Sequence, residues 1–180
     1  MNASIQLANG KFYDFLDPDP SVLDLWVIAS ALSKIGRFTG HTRFDQPYTV
    51  AQHSVLVSYL VPQEHAMMGL MHDAAEALVG DVVSPLKQLL PAYKEIEHKA
   101  DRAVREAFRL PEVYPSTVKA ADLIALATEK RDLMHPTKHN GEWAFLARIK
   151  PDPRKIVVWT PAFARRAFMM RFMQLRRAAG

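Results

Sequence analysis

The chain has 180 residues, of which 49% are hydrophobic and 23% charged, which is the composition of an ordinary globular protein. Folding at this length should bury roughly 70% of the surface that the unfolded chain exposes, so we expect one domain over residues 1–180 that needs no disulfide or structural metal. Cysteine is absent, which excludes thiolate nucleophiles and cysteine-ligated metals and fits a reducing compartment. Histidines and carboxylates must therefore carry any chemistry.

The ends of the chain suggest no membrane association. No apolar run reaches the roughly 18 residues that a membrane span requires, and the N-terminal segment MNASIQLANG lacks the features of a signal peptide, so we expect a cytoplasmic protein.

The net charge of +4 is unevenly distributed, because residues 148–180 hold nine Lys and Arg but one Asp. These cations alternate with Phe and Met at helical spacing, which predicts a last amphipathic helix. Its basic side could face solvent, another subunit, phosphate or nucleic acid.

The first predicted elements are a short strand and a helix. Residues 11–16 and 155–160 are the only β-rich runs, and they could pair as a small two-stranded ribbon that joins the termini. Asp19 and Pro20 form a helix start signal. The apolar residues that follow at a period of 3.6 predict a first helix that ends at Gly36.

The middle of the chain is predicted to be helical after a loop over residues 37–48. Thr49 can cap a second helix that reaches about residue 61 and carries His53 on its apolar side. A third helix is expected over residues 63–79, before Gly80. Three more helices should begin at prolines: a short one at Ser84-Pro85, one from Pro91 to about Phe108, and one from Pro115-Ser116 to about Met134. We therefore expect an all-α bundle of six or seven helices.

Four residues combine metal-ligating chemistry with positions on apolar helices: His53, the dipeptide His72-Asp73 near the end of the third helix, and Asp122. An ionised carboxylate among apolar neighbours costs several kcal/mol unless it is paired or bound to a cation. Two imidazoles and two carboxylates suit zinc, manganese, iron(II) or cobalt(II) better than magnesium or calcium. The four residues could therefore share one divalent ion.

The pattern H…HD…D resembles the HD-domain metal-dependent phosphohydrolases. The resemblance covers residues 10–135 and rests on RFTGHTR from Arg37, VAQHS around His53, MHDAAEALVGDVVSPLK from Met71 and KAADL around Asp122. Within that family these segments are similar to those of bacterial 5′-deoxynucleotidases and viral deoxyadenosine triphosphate (dATP) triphosphohydrolases. The resemblance implies an HD-domain helical bundle, a deoxynucleotide substrate and a divalent metal cofactor.

The resemblance also implies a role for individual residues. The metal ligands would be His53, His72, Asp73 and Asp122; Glu76 and Asp81 would assist the attacking water; and Arg37 with Lys87 would hold phosphate. The aromatic residue after the arginine is Phe38, where this pattern has tryptophan. Apart from the resemblance, the position of His41 and Thr42 in the loop before His53 means that they could contact phosphate or base. Glu76 could instead hold a second ion such as Mg²⁺.

Three functions are compatible with these residues. The best candidate is hydrolysis of dATP to deoxyadenosine and triphosphate or phosphates, and the alternative is a 5′-nucleotidase that acts on deoxynucleoside monophosphates. A third hypothesis is a nucleic-acid-binding or regulatory protein that keeps the metal site as a scaffold. The completeness of the metal and water-handling residues argues against the third. We expect a homo-oligomer through the Met-rich last helix, in the host cytoplasm if the protein is viral.

Several of these residues also have a purely structural interpretation. Glu76 could be a surface glutamate, Asp81 a turn residue, and Arg37 and Lys87 surface charges. Trp26 could fill the core or stack on a base. The charged cluster on the helix after Pro91 is interpreted as a solvated face; it contains Glu95, Glu97, His98 and Asp101.

Overall fold

The computed structural model describes residues 3–139 and 141–178, and helices dominate this part of the chain. Its α-helices are α1 Leu25–Leu32, α2 Val50–Leu60, α3 Ala66–Met71, α4 Glu76–Val79, α5 Ser84–Lys87, α6 Pro91–Phe108, α7 Ser116–Leu133 and α8 Pro161–Ala178. Short 3₁₀ turns occur at Pro20–Val22, Arg37–Gly40, Gln63–His65 and Gly141–Leu146. Two strands, β1 Ser4–Gln6 and β2 Phe12–Asp14, pair antiparallel. The prediction of an all-α protein with a small ribbon is confirmed.

The ribbon does not join the termini, so that part of the prediction is wrong. β1 pairs with the neighbouring β2, with Ile5 opposite Tyr13. Gly10 lies in the turn between them with a φ of 84°, a left-handed conformation that glycine adopts without a steric penalty. The pairing is therefore a local hairpin, whose formation costs less loop-closure entropy than bringing the two ends of the chain together.

Residues 155–160 do not form a strand, and side chains bond to three of their backbone groups. The N–H of Trp159 donates to Gln52 Oε1 at 2.9 Å, and the carbonyl of Val157 accepts from Gln52 Nε2 at 2.8 Å. The N–H of Ile156 donates to Asp132 Oδ2 at 3.0 Å. A buried amide on α2 thus takes the place of a partner strand.

The predicted first helix is divided into two elements. Asp19 caps only the 3₁₀ turn, where it accepts from the N–H of Ser21 at 2.8 Å. A second aspartate, Asp24, caps α1 by accepting from the N–H of Val27 at 2.8 Å. The helix start predicted at Pro20 is therefore wrong by several residues, because each aspartate caps its own element.

The predicted third helix is also divided, so the structure has eight α-helices in its described residues rather than six or seven. Between α3 and α4 the backbone bonds join residues three apart, as in the N–H of Ala74 to Met71 O at 3.0 Å and the N–H of Glu76 to Asp73 O at 3.0 Å. This tighter winding is 3₁₀-like and changes the directions of successive side chains. His72 and Asp73 lie in this turn rather than on a regular helix face.

α2 lies at the centre of the bundle, in contact with α3, α7 and α8. Its predicted cap is confirmed, because the Thr49 side chain accepts from the N–H of Gln52. Gly69 on α3 leaves little room for a side chain, since an added Cβ would lie 3.2 Å from the Cα of Ser58 on α2. This close approach brings α3, and with it His72, towards His53 on α2.

α8 confirms the predicted amphipathic last helix, but its arginines are not all on a solvated side. Arg171 is buried and donates to the hydroxyl and carbonyl oxygens of Ser58 at 3.1 and 3.0 Å. Arg165 lies 4.7 Å from the ring centroid of Trp26, which is 44% exposed and therefore does not fill the core. None of the described helices is both long enough and apolar enough to span a membrane.

Candidate active site

The four predicted metal ligands converge from three segments of the fold. His53 lies on α2, His72 and Asp73 in the turn between α3 and α4, and Asp122 on α7. The Nε2 atoms of His53 and His72 are 3.3 Å apart, and Asp122 Oδ1 lies 3.5 Å from His53 Nε2. Ligand atoms of His53, His72 and Asp122 lie within 4.8 Å of one another, so this group could hold a metal ion.

A hydrogen bond at Nδ1 of each histidine orients the Nε2 atom of the same ring. His53 Nδ1 donates to Glu129 Oε1 at 2.5 Å, and His72 Nδ1 donates to the carbonyl oxygen of Gly69 at 2.9 Å. With the proton of each neutral ring on Nδ1, the lone pair is left on Nε2. Two lone pairs that face each other at 3.3 Å repel, and a cation between them removes the repulsion. Both histidines are therefore oriented as metal ligands are.

The spacing and the electrostatics both fit a divalent ion. Ligand atoms about 2.1 Å from a tetrahedral Zn²⁺ are about 3.4 Å apart, close to the 3.3 and 3.5 Å that separate His53 Nε2 from its neighbours. Burial and the nearby Arg37 disfavour a positive charge on the His53 ring. The surrounding carboxylates, Glu129 foremost, outweigh them and raise the pKa of that imidazole well above its ordinary value. The surroundings thus favour a positive charge here, whether a proton or a metal ion.

Asp73 lies between the histidines and Arg37. Its Oδ2 atom is 3.2 Å from His72 Nε2 and 3.4 Å from His53 Nε2, although the group whose ligand atoms are all mutually close consists of His53, His72 and Asp122. The same oxygen is 3.6 Å from Arg37 Nη1. One carboxylate therefore connects the candidate metal site to the cation predicted to hold phosphate.

Glu129 on α7 is a site residue that the sequence analysis missed. It is fully buried, and in addition to His53 it accepts from Arg37 Nε at 3.3 Å and pairs with Arg37 Nη2 at 3.2 Å. A carboxylate that accepts from a ligating histidine fixes its tautomer and orientation. Its spacing could have identified it from the sequence, since residue 129 is two helical turns after Asp122 and lies on the same side of α7.

Glu76 and Asp81 line a cleft of about 710 Å³ beside these ligands. Glu76 is buried, which excludes the surface interpretation, and its Oε2 atom has no hydrogen-bond partner in the described residues. Burial, together with the negative charges of Asp73 and Asp81, raises the pKa of Glu76 well above its ordinary value. Burial also raises the pKa of Asp81. A carboxylate with a raised pKa is a stronger base, so Glu76 is suited to accept a proton.

Arg37 enters the cleft from a strained turn in the loop predicted over residues 37–48. Phe38 and Thr39 have φ values of 56° and 52°, and such backbone costs about 1–3 kcal/mol per residue. The turn is held by the N–H of Arg37, which donates to Tyr48 O at 2.9 Å, and by the N–H of His41, which donates to Phe38 O at 2.9 Å. Arg37, Phe38 and His41 all line the cleft.

Two lysines line the cleft, and only one of them was predicted. Lys87 is present, but its Nζ lies 2.5 Å from Glu97 Oε1, so part of its charge is already neutralised. Lys119, which the sequence analysis missed, donates to Asp122 Oδ2 at 2.8 Å and has a side chain that is 72% exposed. Its position three residues before Asp122, on the same face of α7, was the available signal.

Other expectations are not met at the cleft. Thr42 is not among the residues that line it, and its hydroxyl donates to the carbonyl oxygen of Phe44 at 3.3 Å. Trp26 is also absent from the lining. The α6 cluster is partly an ion-pair face rather than a fully solvated one, because Asp101 pairs with Arg105 and Glu97 with Lys87.

The 3₁₀ turn Gly141–Leu146 contributes aromatic side chains to the cleft. Glu142, Trp143 and Phe145 line it, and none of them was predicted as a site residue. The rings of Trp143 and Phe145 are stacked, with centroids 6.3 Å apart and an interplanar angle of 24°. The sequence signal that could have indicated these residues is a pair of aromatic side chains in a segment without helical periodicity.

Comparison with known proteins shows the family of the chain but no activity. No protein-family model matches it. It is 44% identical over 174 residues to the uncharacterized protein YfdR of Escherichia coli (strain K12), across 95% of this chain and 94% of that protein. It is 31% identical over 160 residues to the uncharacterized protein RCAP_rcc00048 of Rhodobacter capsulatus, across 82% of this chain and 80% of that protein. The chain belongs to the family of these two bacterial proteins.

Proposed function

We propose that the protein is a metal-dependent phosphohydrolase that acts on deoxynucleotides. The observation that carries the proposal is the convergence of ligand atoms from His53, His72 and Asp122 beside a cleft that also presents Arg37 and Glu76. A cation site by itself would suit many functions. A cation site next to a guanidinium and a buried carboxyl group combines charge stabilisation with proton transfer, as phosphate ester hydrolysis requires.

The donor set defines the cofactor that the proposal requires. Two imidazoles with carboxylates suit Zn²⁺, Mn²⁺, Fe²⁺ or Co²⁺. When bound, a divalent cation supplies Lewis-acid chemistry, since it acidifies water and polarises a phosphoryl oxygen.

The side chains of the cleft supply the rest of the reaction. The Arg37 guanidinium can hold two phosphoryl oxygens at once and balance their charge. Glu76 takes the proton of the attacking water as the water oxygen bonds to phosphorus. The ester bond then breaks, and Asp81, whose pKa is also raised by burial, returns a proton to the oxygen of the leaving nucleoside.

Two substrates are compatible with this scheme, because dATP and the deoxynucleoside monophosphates both have a phosphorus atom esterified to the 5′-oxygen of the deoxyribose. The first candidate is dATP, which would yield deoxyadenosine and triphosphate. Lys87 and Lys119 also line the cleft and could supplement Arg37 for additional phosphoryl groups, provided that they leave their carboxylate partners Glu97 and Asp122. The second candidate is a 5′-nucleotidase activity on the monophosphates.

A substrate screen tests the proposal. The purified protein, loaded with Mn²⁺, Co²⁺ or Zn²⁺, should hydrolyse at least one deoxynucleotide when each base is supplied as mono-, di- and triphosphate and products are separated by chromatography. His72→Gln should lose both bound metal and turnover. The matched control is His65→Gln, because His65 bonds to the Thr117 hydroxyl and not to the cleft. Absence of hydrolysis of every nucleotide, with metal bound, would refute the proposal.

Nucleic-acid binding is the competing function, and the basic α8 is its basis. Two of the arginines of this helix are engaged within the protein, since Arg171 bonds to Ser58 and Arg165 covers Trp26. This engagement weakens the case for a nucleic-acid surface. A gel-shift titration distinguishes the two functions, because binding through several phosphate contacts weakens steeply as salt rises. Tight, salt-sensitive DNA binding without hydrolysis would favour the competing function.

A further inference from the structure

We propose that Trp143 and Phe145 form a stacking surface for the base of the nucleotide, at the end of the cleft away from the metal ligands. The inference rests on the proposed function and adds the site that recognises the substrate. The pair, called here the aromatic surface, comes from the turn Gly141–Leu146. It lies outside residues 10–135, to which the sequence resemblance extends.

α7 sets the positions of the two ends of the cleft. Lys119, Asp122 and Leu126 line the cleft from successive turns of this helix, and Met134 lines it just beyond the last turn. Leu126 lies about 6 Å along the axis from Asp122. The lining therefore changes along α7 from charged residues at the metal ligands to apolar residues further on. A nucleotide has the same polarity, with phosphate at one end and a flat ring at the other.

The aromatic surface lies at the apolar end. The Nζ atom of Lys130, eight residues after Asp122 on α7, is 5.4 Å from the ring centroid of Trp143. Eight residues of helix correspond to about 12 Å along the axis, so Trp143 meets the side chain of a residue about two turns beyond Asp122 on α7. The Lys130 ammonium group and the stacked Phe145 ring both lie beside the indole of Trp143.

Phe145 is an exposed aromatic residue of the cleft lining. Its side chain is 60% exposed, and the same lining includes the apolar Leu123. Exposed aromatic rings beside a cleft stack on nucleic acid bases without needing a particular sequence. Phe38, on the strained turn, lines the same cleft and supplies another ring.

Substitution of Phe145 tests the aromatic surface. Phe145→Ala should raise KM for the hydrolysed deoxynucleotide about 5- to 150-fold, the effect of losing one base-stacking contact, with kcat nearly unchanged. Hydrolysis of the base-free counterpart, 2-deoxyribose 5-phosphate or its triphosphate, should not change. Phe145→Tyr should keep the wild-type KM. Phe145→Leu, which has apolar volume but no flat ring, should raise KM as Phe145→Ala does. Phe12→Ala is the matched control, because Phe12 is 61% exposed and does not line the cleft.

Binding of deoxyadenosine monophosphate, measured by calorimetry, separates this inference from the proposed function. If the wild type hydrolyses nucleotides but Phe145→Ala behaves as Phe12→Ala does, the aromatic surface is refuted and the phosphohydrolase stands. If the wild type hydrolyses nothing but Phe145→Ala weakens binding of the monophosphate by the expected factor, the proposed function is refuted and the base site stands.

Discussion

Glu129→Gln is the substitution that most directly tests the site as described. Gln has the shape of Glu but carries one acceptor oxygen where Glu has two. Glu129 uses both, since Oε1 accepts from His53 and Oε2 from Arg37. In the variant either the His53 ring or the Arg37 guanidinium must face an amide NH₂ group. One of the two loses its buried acceptor.

The size of the effect follows from these contacts. If the amide oxygen stays on His53, the ion pair that Arg37 keeps among the described residues is the one with Asp73, at 3.6 Å. Removal of one partner from a buried ion pair typically costs about 3–5 kcal/mol of folding stability, and Asp73 should reduce the loss towards the lower value. If the oxygen turns to Arg37, His53 loses its orientation, and such losses lower metal affinity or activity about 10- to 100-fold.

Metal titration by calorimetry and thermal melts with and without metal measure both effects. Asp132→Asn is the matched control: it removes another buried carboxylate that is bonded to an arginine and to a backbone N–H, away from the cleft. We expect the control to lose stability but to keep wild-type metal affinity. A folded Glu129→Gln protein with wild-type metal affinity, turnover and melting temperature would refute the role assigned to Glu129.

Three further predictions concern single residues. Asp73→Ala should lose bound metal and turnover but keep its fold, as shown by elemental analysis beside a thermal melt, and full metal content with a normal rate would remove Asp73 from the ligand set. Glu76→Gln should keep its metal while kcat falls about 10²- to 10⁴-fold; an unchanged kcat would make Asp81 the candidate proton acceptor. Asp132→Asn should lose about 2 kcal/mol of stability at pH 7, because hydrogen bonds from Arg131 lower the pKa of Asp132 from 3.8 to about 2. The wild type has that contribution above pH 4 and loses it as the pH falls towards 2, so urea unfolding curves of the two proteins should converge in acid; a constant difference would contradict this origin.

The sequence by itself determined the secondary structure wherever a local signal was strong. α2, α6 and α7 lie where a capping threonine or a helix-starting proline precedes an apolar period. The candidate metal ligands could also be selected from the sequence, because a histidine or aspartate on an apolar helix face needs a partner. These signals act over a few residues, so a linear pattern contains them.

Only the tertiary structure decided which distant groups complete the site. Glu129 and His53 are far apart in sequence, and no local pattern indicates that one accepts a hydrogen bond from the other. The tight turn at His72 and Asp73 replaces the regular helix that the apolar period predicted. Helical periodicity reports which side of a helix is buried, whereas the distance between two buried side chains depends on how the helices pack.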